Sequence, residues 1–511
     1  MDIFSGLLNG FSIALTPMNV LFAFIGAVLG TAIGVLPGLG PAATIALLLP
    51  ATYAIESPVT AIILMAGIFY GSMYGGSTTS ILLNLPGEAA SVVTCIDGYK
   101  MAQQGRAGAA LGIAAIGSFV AGTVGVIGMT FFAPAIAGFA LSFGPPEKFS
   151  LAVVGLLLAV TLSGASIVKG LIMMATGLLL ANVGLDPISG KTRFAFGVTE
   201  LNSGFDFVTL AMGVFGLGEI FYGLEQTMKG ELVTTKVGQV WPTMKDWVAS
   251  RWAILRGTLV GFFIGVIPGG GAVISSLVSY AVEKRVAKDP SQFGHGAIQG
   301  VAGPESANNA ASSSSFIPLL TLGIPGNASI AMIFAALLIK GVTPGPFLIQ
   351  EHPEIFWGVI ASMYIGNVML LVLNLPLVGL WAQLVRVPFA IMAPVIILFT
   401  AIGSYSIQGQ VFDIYSLVGF GLFGYALRKL KIEAGPLVLA FVLGPMVEAA
   451  MRQSLLMSGG DFTVFVTRPI SATLIALFVT LALGQAGVAL WKRRRATASS
   501  NSNPPVKGGT R

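Results

Sequence analysis

The chain has 511 residues, of which 55% are hydrophobic and only 9% charged, and its mean hydropathy is +0.87. Soluble domains carry about 25% charged residues, so this composition excludes a water-soluble enzyme or binding module and points to an integral membrane protein. The net charge of +6 sits in loops and tail, where it reports topology rather than an affinity for nucleic acid; a single cysteine (Cys95) excludes an internal disulfide framework, and two histidines (His295, His352) leave little for zinc, copper or haem.

Apolar segments of about 20 residues, enough to span a bilayer, recur from residue 20 to residue 491. Ten to twelve are expected, in an all-α polytopic membrane protein. Residues 1–20 lack the basic start and small-residue cleavage site of a signal peptide. Residues 20–36 form the first predicted membrane helix, stopped by Pro37-Gly38-Leu39-Gly40-Pro41. The apolar stretch continues over 42–49, too short to span, and the loop 52–57 carries no Lys or Arg. By the positive-inside rule both flanks lie outside, which makes this unit a helical hairpin with its Pro-Gly break inside the membrane.

Residues 59–69 are helical and run into Tyr74-Gly-Gly-Ser-Thr-Thr-Ser80, then Asn84-Leu-Pro-Gly-Glu88. The basic loop 97–106 is expected on the cytoplasmic side. Segments 108–141, 149–162, 168–183 and 207–224 read as scaffold helices in which nothing polar stands out. Residues 225–256, with Lys229, Lys236, Lys245, Arg251 and Arg256, form the longest polar connection and separate two halves.

The opening phrase then returns. Gly26, Gly30, Ile33, Gly34, Val35, Pro37, Gly38 and Gly40 recur 231 residues later, eight identities in fifteen positions, ending on Pro268-Gly269-Gly270-Gly271. Its flanks are basic this time, including the run 283–288, so the second copy enters the membrane from the opposite side. That is an inverted repeat. A second break, Gly323-Ile-Pro-Gly-Asn-Ala-Ser329, matches Asn84 to Ala90 at an offset of 239, which makes the repeated unit two breaks long. Helices over 357–375, 389–402, 415–427, 435–449 and 470–491 complete the scaffold. Basic clusters at 428–431 and 492–495 mark cytoplasmic ends, and 496–511 is a polar tail expected to be disordered.

The expected domains are a first membrane half, 1–224, holding repeat unit 1 (about 20–106); a cytoplasmic linker, 225–256; a second half, 257–491, holding repeat unit 2 (about 257–345); and the tail, 492–511.

Three constellations carry chemistry. A helix broken at mid-membrane exposes N–H groups that attract a carboxylate, while freed carbonyls can hold a cation. Gly38, Gly40, Gly269, Gly270 and Gly271 are the candidates, against the plain alternative that Pro-Gly merely ends spans at the interface. Ser77, Thr78, Thr79, Asn308, Asn309, Ser312 and Ser313 are polar groups costly to face lipid; they could line a substrate site or simply tie helices together. Glu88, Glu305 and Asn327 form the third group. An acid at membrane depth is a candidate for ion coupling, although Glu305 follows Pro304 and could cap a helix start, and Glu88 could lie at an interface. Lys100, Arg106 and Lys340 could neutralise an anion or snorkel at membrane edges.

Together, Gly34-Val-Leu-Pro-Gly-Leu-Gly-Pro41, Tyr74-Gly-Gly-Ser-Thr-Thr-Ser80, Asn84-Leu-Pro-Gly-Glu88, Gly265-Val-Ile-Pro-Gly-Gly-Gly271 and Gly303-Pro-Glu-Ser-Ala-Asn-Asn309 resemble the large membrane subunit (TctA type) of the tripartite tricarboxylate transporters. The resemblance extends over about residues 1–490. It implies a permease of the bacterial inner membrane working with a periplasmic solute-binding protein and a small four-helix membrane subunit. It also implies uptake of citrate or related small carboxylates coupled to a sodium or proton gradient, with no other cofactor, in an elevator-like secondary transporter. No phosphate-binding loop for ATP is apparent in the sequence. On this reading the substrate carboxylates meet the half-helix N-termini after Gly40 and Gly271 and the Ser/Thr/Asn runs. The coupling ion rests near Pro37, Asn84, Pro86, Gly87, Glu88, Pro268, Glu305, Pro325, Gly326 and Asn327. The N-terminus is expected in the periplasm and the C-terminus in the cytoplasm. A carrier of another organic or inorganic anion on the same scaffold is the alternative. A membrane enzyme acting on lipid is more remote, since no acid pair or histidine cluster at membrane depth is apparent.

Overall fold

The computed structural model describes residues 2–36, 40–162, 166–186, 189–227, 240–384, 389–480 and 483. Pro37 and Gly38 of the first break, Lys229 and Lys236, and the tail 492–511 therefore lie outside the described residues. Helices dominate. In chain order they are α1 (Ile3–Ala14), α2 (Pro17–Gly34), α3 (Pro41–Leu48), α4 (Pro58–Leu83), α5 (Val92–Gln103), α6 (Ala107–Ala140), α7 (Pro145–Leu162), α8 (Ile167–Ala181), α9 (Phe207–Ala211), α10 (Gly218–Thr227), α11 (Met244–Val266), α12 (Gly271–Val286), α13 (Gln299–Ser314), α14 (Phe316–Leu322), α15 (Ala328–Ile339), α16 (Leu348–Glu351), α17 (Pro353–Asn374), α18 (Val378–Leu384), α19 (Phe389–Gln408), α20 (Val411–Lys429), α21 (Gly435–Met457) and α22 (Val464–Thr467). Among the described residues, eight helical stretches are long and apolar enough to cross a membrane, and several shorter apolar helices accompany them. One two-stranded ribbon, Gly184–Leu185 with Thr192–Arg193, follows α8.

Three boundaries differ from the sequence reading, the first being the expected loop 97–106, most of which lies within α5. The amino-terminal residues form a helix, α1, whose Gly6 and Gly10 leave no room for a Cβ against Trp357; at 12 residues it is too short to read as a span. The helix before the second break starts at Met244, well inside the polar connection. Thr243 and Asp246 form a capping box there, in which Thr243 Oγ1 accepts from the Asp246 N–H and Asp246 Oδ2 accepts from the Thr243 N–H.

The described residues fall into two compact units. The larger, Met1–Ser142 with Gly155–Pro445, contains both copies of the repeat. In the smaller, Phe143–Val154 with the described residues from Met446 onward, Ser150 and Ser471 share a hydrogen bond of 2.6 Å, and the Phe149 and Phe465 rings lie 4.6 Å apart.

Within the larger unit the repeat is visible in the packing. On α2, a Cβ at Gly26, Gly30 or Gly34 would lie 2.3–2.5 Å from the carbonyl oxygens of Leu64, Ile68 and Ser72 on α4. On α11, a Cβ at Gly257, Gly261 or Gly265 would lie within 2.5 Å of the carbonyls of Gly303, Ala307 and Ala311 on α13. Each partner is shifted by 239 residues between copies, and each glycine by 231. The same bare ridge meets the same carbonyl row twice. Small residues allow this close approach, and packing rather than hydrophobicity holds helices together in lipid.

The equivalent helices α4 and α13–α14 touch, and they run antiparallel. Ser77 Oγ donates to Glu305 at 2.6 Å, the Phe69 and Tyr70 rings lie 6.1 and 5.8 Å from the Phe316 ring, and Ile81 shares a core cluster with Val301. Residue numbers fall on one helix as they rise on the other, the arrangement an inverted repeat requires. Both helices are buried along almost their whole length. A helix apolar all round is a core helix, and the polar groups these two carry must therefore find partners inside the protein.

Candidate functional site

Three described backbone breaks, with Gly40 at the edge of a fourth, frame the site. In the second unit, α11 ends at Val266, Ile267 is extended, and Gly269 (φ +84°) and Gly271 (φ +50°) adopt left-handed conformations that favour glycine. The Gly269 N–H donates to the Gly326 carbonyl at 2.7 Å, so the two breaks of this unit are joined directly. A side chain at Gly269 would also strike the backbone at Ala159, and one at Gly270 the carbonyl of Ile264. Pro268 lies beside Gly326. In the first unit the equivalent approach is between Gly87 and Gly34, where a Cβ on Gly87 would lie 2.2 Å from the Gly34 carbonyl. Gly40, described at the edge of the first break, is the N-cap of α3 with open space around its Cα.

The other two breaks match in detail. Asn84 (φ +58°) ends α4 and Gly323 (φ +69°) ends α14, both in the left-handed C-cap geometry. Pro86 and Pro325 follow, where no further helical N–H is available. Glu88 and Asn327 then take the same extended conformation and the same job. Glu88 Oε2 accepts from the Ala90 N–H at 2.5 Å, and Asn327 Oδ1 accepts from the Ile330 N–H at 3.0 Å. Asn327 thereby caps α15, and Glu88 caps the 3-10 turn Ala89–Ser91 that runs into α5.

Between the units lies a buried polar network. Glu305, 1% exposed, projects from mid-α13 and accepts from Ser77 Oγ of α4 and from Thr94 Oγ1 of α5. The sequence alternative that Glu305 caps a helix start is corrected here: Pro304 sits inside α13, five residues after its first residue, Gln299. Glu88 is 5% exposed and takes Asn308 Nδ2 as a donor at 3.3 Å. Asn309 Nδ2 donates to Ser118 Oγ at 2.7 Å and to the Glu305 carbonyl at 3.1 Å. Asn308 Oδ1 is buried with no hydrogen-bond partner.

Among the described residues neither Glu88 nor Glu305 is ion-paired with a Lys or Arg, and no cluster of three or more His, Cys, Asp or Glu is placed to hold a metal. Two buried carboxylates, without a basic partner among the described residues and beside an unpartnered amide oxygen, are groups whose chemistry suits a cation or a proton.

The other candidates are more ordinary. Thr78 is buried; Thr79 Oγ1 donates to the Gly76 carbonyl. Ser312 and Ser313 donate to the carbonyls of Asn308 and Asn309, one turn back on their own helix, and Ser314 and Ser315 do likewise three residues back. Ser312, Ser313 and Asn309, with Tyr70, Tyr74 and Asn367, also line a small cavity. Lys100 bonds Gln103, Arg106 pairs with Asp246 at 2.5 Å, and Lys340 reaches backbone carbonyls of the α3–α4 linker.

Three partners escaped the sequence reading. Ser118 lies in α6, a helix read as plain scaffold; Thr94 lies in α5; and Asn367 of α17 accepts from Tyr74 Oη at 2.7 Å. The one sequence signal was the glycine spacing of α6. Gly117 and Gly125 lie against Ser306 and Ser313 of α13, and that close approach lets a short serine at 118 reach across.

Comparison with known proteins agrees with this architecture. The family described as "Tripartite tricarboxylate transporter TctA family" matches residues 20–439. Two proteins of Agrobacterium vitis are similar. One, described as an "Uncharacterized 52.8 kDa protein in TAR-I ttuC' 3'region", is 50% identical over 477 residues, covering 93% of this chain and 95% of that protein. The other, an "Uncharacterized protein in TAR-II ttuC' 3'region", is 52% identical over 217 residues, covering 42% of this chain and 90% of that protein. No solved structure matches.

Proposed function

The chain belongs to the tripartite tricarboxylate transporter TctA family, and from that premise we propose that it is the large permease subunit of a tripartite importer in a bacterial inner membrane. It takes small carboxylates, citrate or related di- and tricarboxylates, from a periplasmic binding protein and works beside a small four-helix membrane subunit. Uptake is driven by a sodium or proton gradient. The N-terminus lies in the periplasm and the C-terminus in the cytoplasm, and the two inverted units move as an elevator-like core.

The observation that carries this reading is the pairing of Glu88 with Asn327. Equivalent breaks lead into equivalent half-helices, but one half-helix is capped by an acid and the other by a neutral amide. At α5 the positive helix end already has its anion in Glu88. At α15 it does not, so a substrate carboxylate is drawn to the second unit, near Asn327 and the α12 start at Gly271. The coupling cation takes the complementary place, with Glu88, Glu305 and the Asn308 amide oxygen as oxygen donors. Opposite charges then occupy neighbouring positions in one site, and each favours the binding of the other.

Uptake by proteoliposomes containing both membrane subunits, with the cognate binding protein added, tests this. Citrate or a related carboxylate should accumulate only with an inward sodium or proton gradient. Uptake indifferent to both gradients overturns the coupling. Accumulation of a non-carboxylate anion alone favours the alternative carrier.

A further inference from the structure

The linkers that join the helices within each unit are held by the opposite unit. Asp97, on α5 of the first unit and 0% exposed, reaches the α12–α13 linker of the second. Its Oδ1 accepts from the backbone N–H groups of Gly294 (2.8 Å), Gly296 (2.8 Å) and Ala297 (2.9 Å), and its Oδ2 accepts from Tyr280 Oη at 2.9 Å. The left-handed conformations of Gly294 (φ +91°) and Gly296 (φ +100°) turn these N–H groups to one point, a nest that takes an anion. Gln104 Nε2 adds a bond to the His295 carbonyl at 2.8 Å.

The reciprocal contact exists with the charges exchanged. Lys340, the C-cap of α15 in the second unit, donates from Nζ to the carbonyls of Ile55 and Tyr53 in the α3–α4 linker of the first. Ile55 and Gly294 are 239 residues apart, the offset that relates the two copies beyond their first break, and Lys340 stands at the equivalent of Met101, about one turn from the equivalent of Asp97. One linker is held by a carboxylate through its N–H groups, the other by an ammonium through its carbonyls.

We propose that the two clamps are unequal by design: Asp97 permanently staples the α12–α13 linker, and Lys340 is a latch whose release frees the α3–α4 linker to open the polar site between the two repeat units. The asymmetry is in the contacts. Asp97 is fully buried, rigid on its helix and fourfold bonded. Lys340 is only half-buried and carries its charge on a flexible four-carbon stem; it makes two bonds, a short one to the Ile55 carbonyl and a long, exposed one of 3.5 Å to that of Tyr53, against the four on Asp97. Charge-assisted bonds shielded from water hold more strongly than one that water can replace. Both residues act by positioning the linkers. The consequence for substrate entry rests on the transport reading above, and with the sides assigned there the latch faces the periplasm. The unequal clamps themselves are tested without substrate.

Amide hydrogen exchange on the full chain in lipid nanodiscs reads both clamps at once. Residues 52–58 should exchange at least about tenfold faster than residues 293–298, the factor separating two bonds from a flexible, half-exposed stem from four on a buried carboxylate. Lys340→Met should speed exchange at 52–58 several-fold without changing 293–298, and Lys340→Arg should restore it. Asp97→Asn should speed exchange at 293–298; if that variant fails to fold, Tyr280→Phe, which removes one of the four bonds, should do so to a smaller degree. Equal protection of the two linkers, or no response of 52–58 to Lys340→Met, overturns the latch. If exchange behaves as expected while proteoliposomes take up no carboxylate, the clamps stand and the transport reading fails.

Discussion

The two repeat units share a backbone and differ in what is mounted on it. Their first helices carry the same glycine ridge against the same row of carbonyls, and their second helices each end in a left-handed residue, Asn84 in one and Gly323 in the other. The differences are chemical. Glu88 faces Asn327 across the pseudo-symmetry, Asp97 is answered by a lysine one turn away, and the continuous α4 of 26 residues is matched by α13 and α14, which meet at Ser315. Geometry is kept because the close packing of bare helices in lipid tolerates no added atoms. Charge is free to diverge, and on the proposed function its divergence would turn two similar half-sites into one site for two unlike ligands.

The largest effect is expected where the units meet. Glu305→Leu leaves the Ser77 and Thr94 hydroxyls without their acceptor in a dry interior, at about 1–3 kcal/mol each, and uptake should be lost together with thermal stability in detergent. Glu305→Gln keeps the volume and an acceptor oxygen; it should retain most of the stability and still lose the dependence on the ion gradient. Equal stability losses in the two variants would show that packing, not the network, is what the residue supplies.

The shared geometry is tested next. Gly30→Ala and Gly261→Ala stand at equivalent places, where the new Cβ would lie 2.3 and 2.2 Å from the carbonyls of Ile68 and Ala307. Each should destabilise by about 1–3 kcal/mol, the range for overpacking, and by similar amounts in a denaturation series. A large loss in one and none in the other would break the equivalence of the units.

A smaller and more selective effect is expected from exchanging the caps. Asn327→Glu keeps an oxygen acceptor for the Ile330 N–H but places a negative charge at the start of α15. It should raise the half-saturating substrate concentration about tenfold, in keeping with up to ~2 kcal/mol for a charge at a partly buried helix end. Glu88→Asn should weaken the response to the ion gradient more than the apparent affinity for substrate. The reverse pattern would exchange the roles of the two units.

Much of this was legible in the sequence because the signals are local. Proline followed by glycine stops a helix wherever it falls, a loop without Lys or Arg declares its side, and a repeated phrase needs only to be read twice. The breaks at Pro86, Pro268 and Pro325 and the antiparallel relation of the units follow from such signals. What was hidden depends on which helix faces which. Ser118 and Thr94 are unremarkable residues until α6 and α5 are packed against α13, and Ser312 and Ser313 read as a site lining or as ties between helices until their hydroxyls are seen turned back onto their own helix. Asp97 read as part of a basic loop, and Lys340 as a charge that neutralises an anion or snorkels at a membrane edge; that each holds the other unit's linker is a long-range relation that no spacing encodes.

The inversion of the two units is the claim on which the site, the caps and the clamps all depend. Replacing Cys95, the single native thiol, gives a background for one cysteine at Ala54 or at Ala287, equivalent linker regions of the two units. Labelling in oriented membrane vesicles with a membrane-impermeant thiol reagent should modify the cysteine at 54 from the periplasmic side only and the cysteine at 287 from the cytoplasmic side only. Modification of both from the same side would contradict the account.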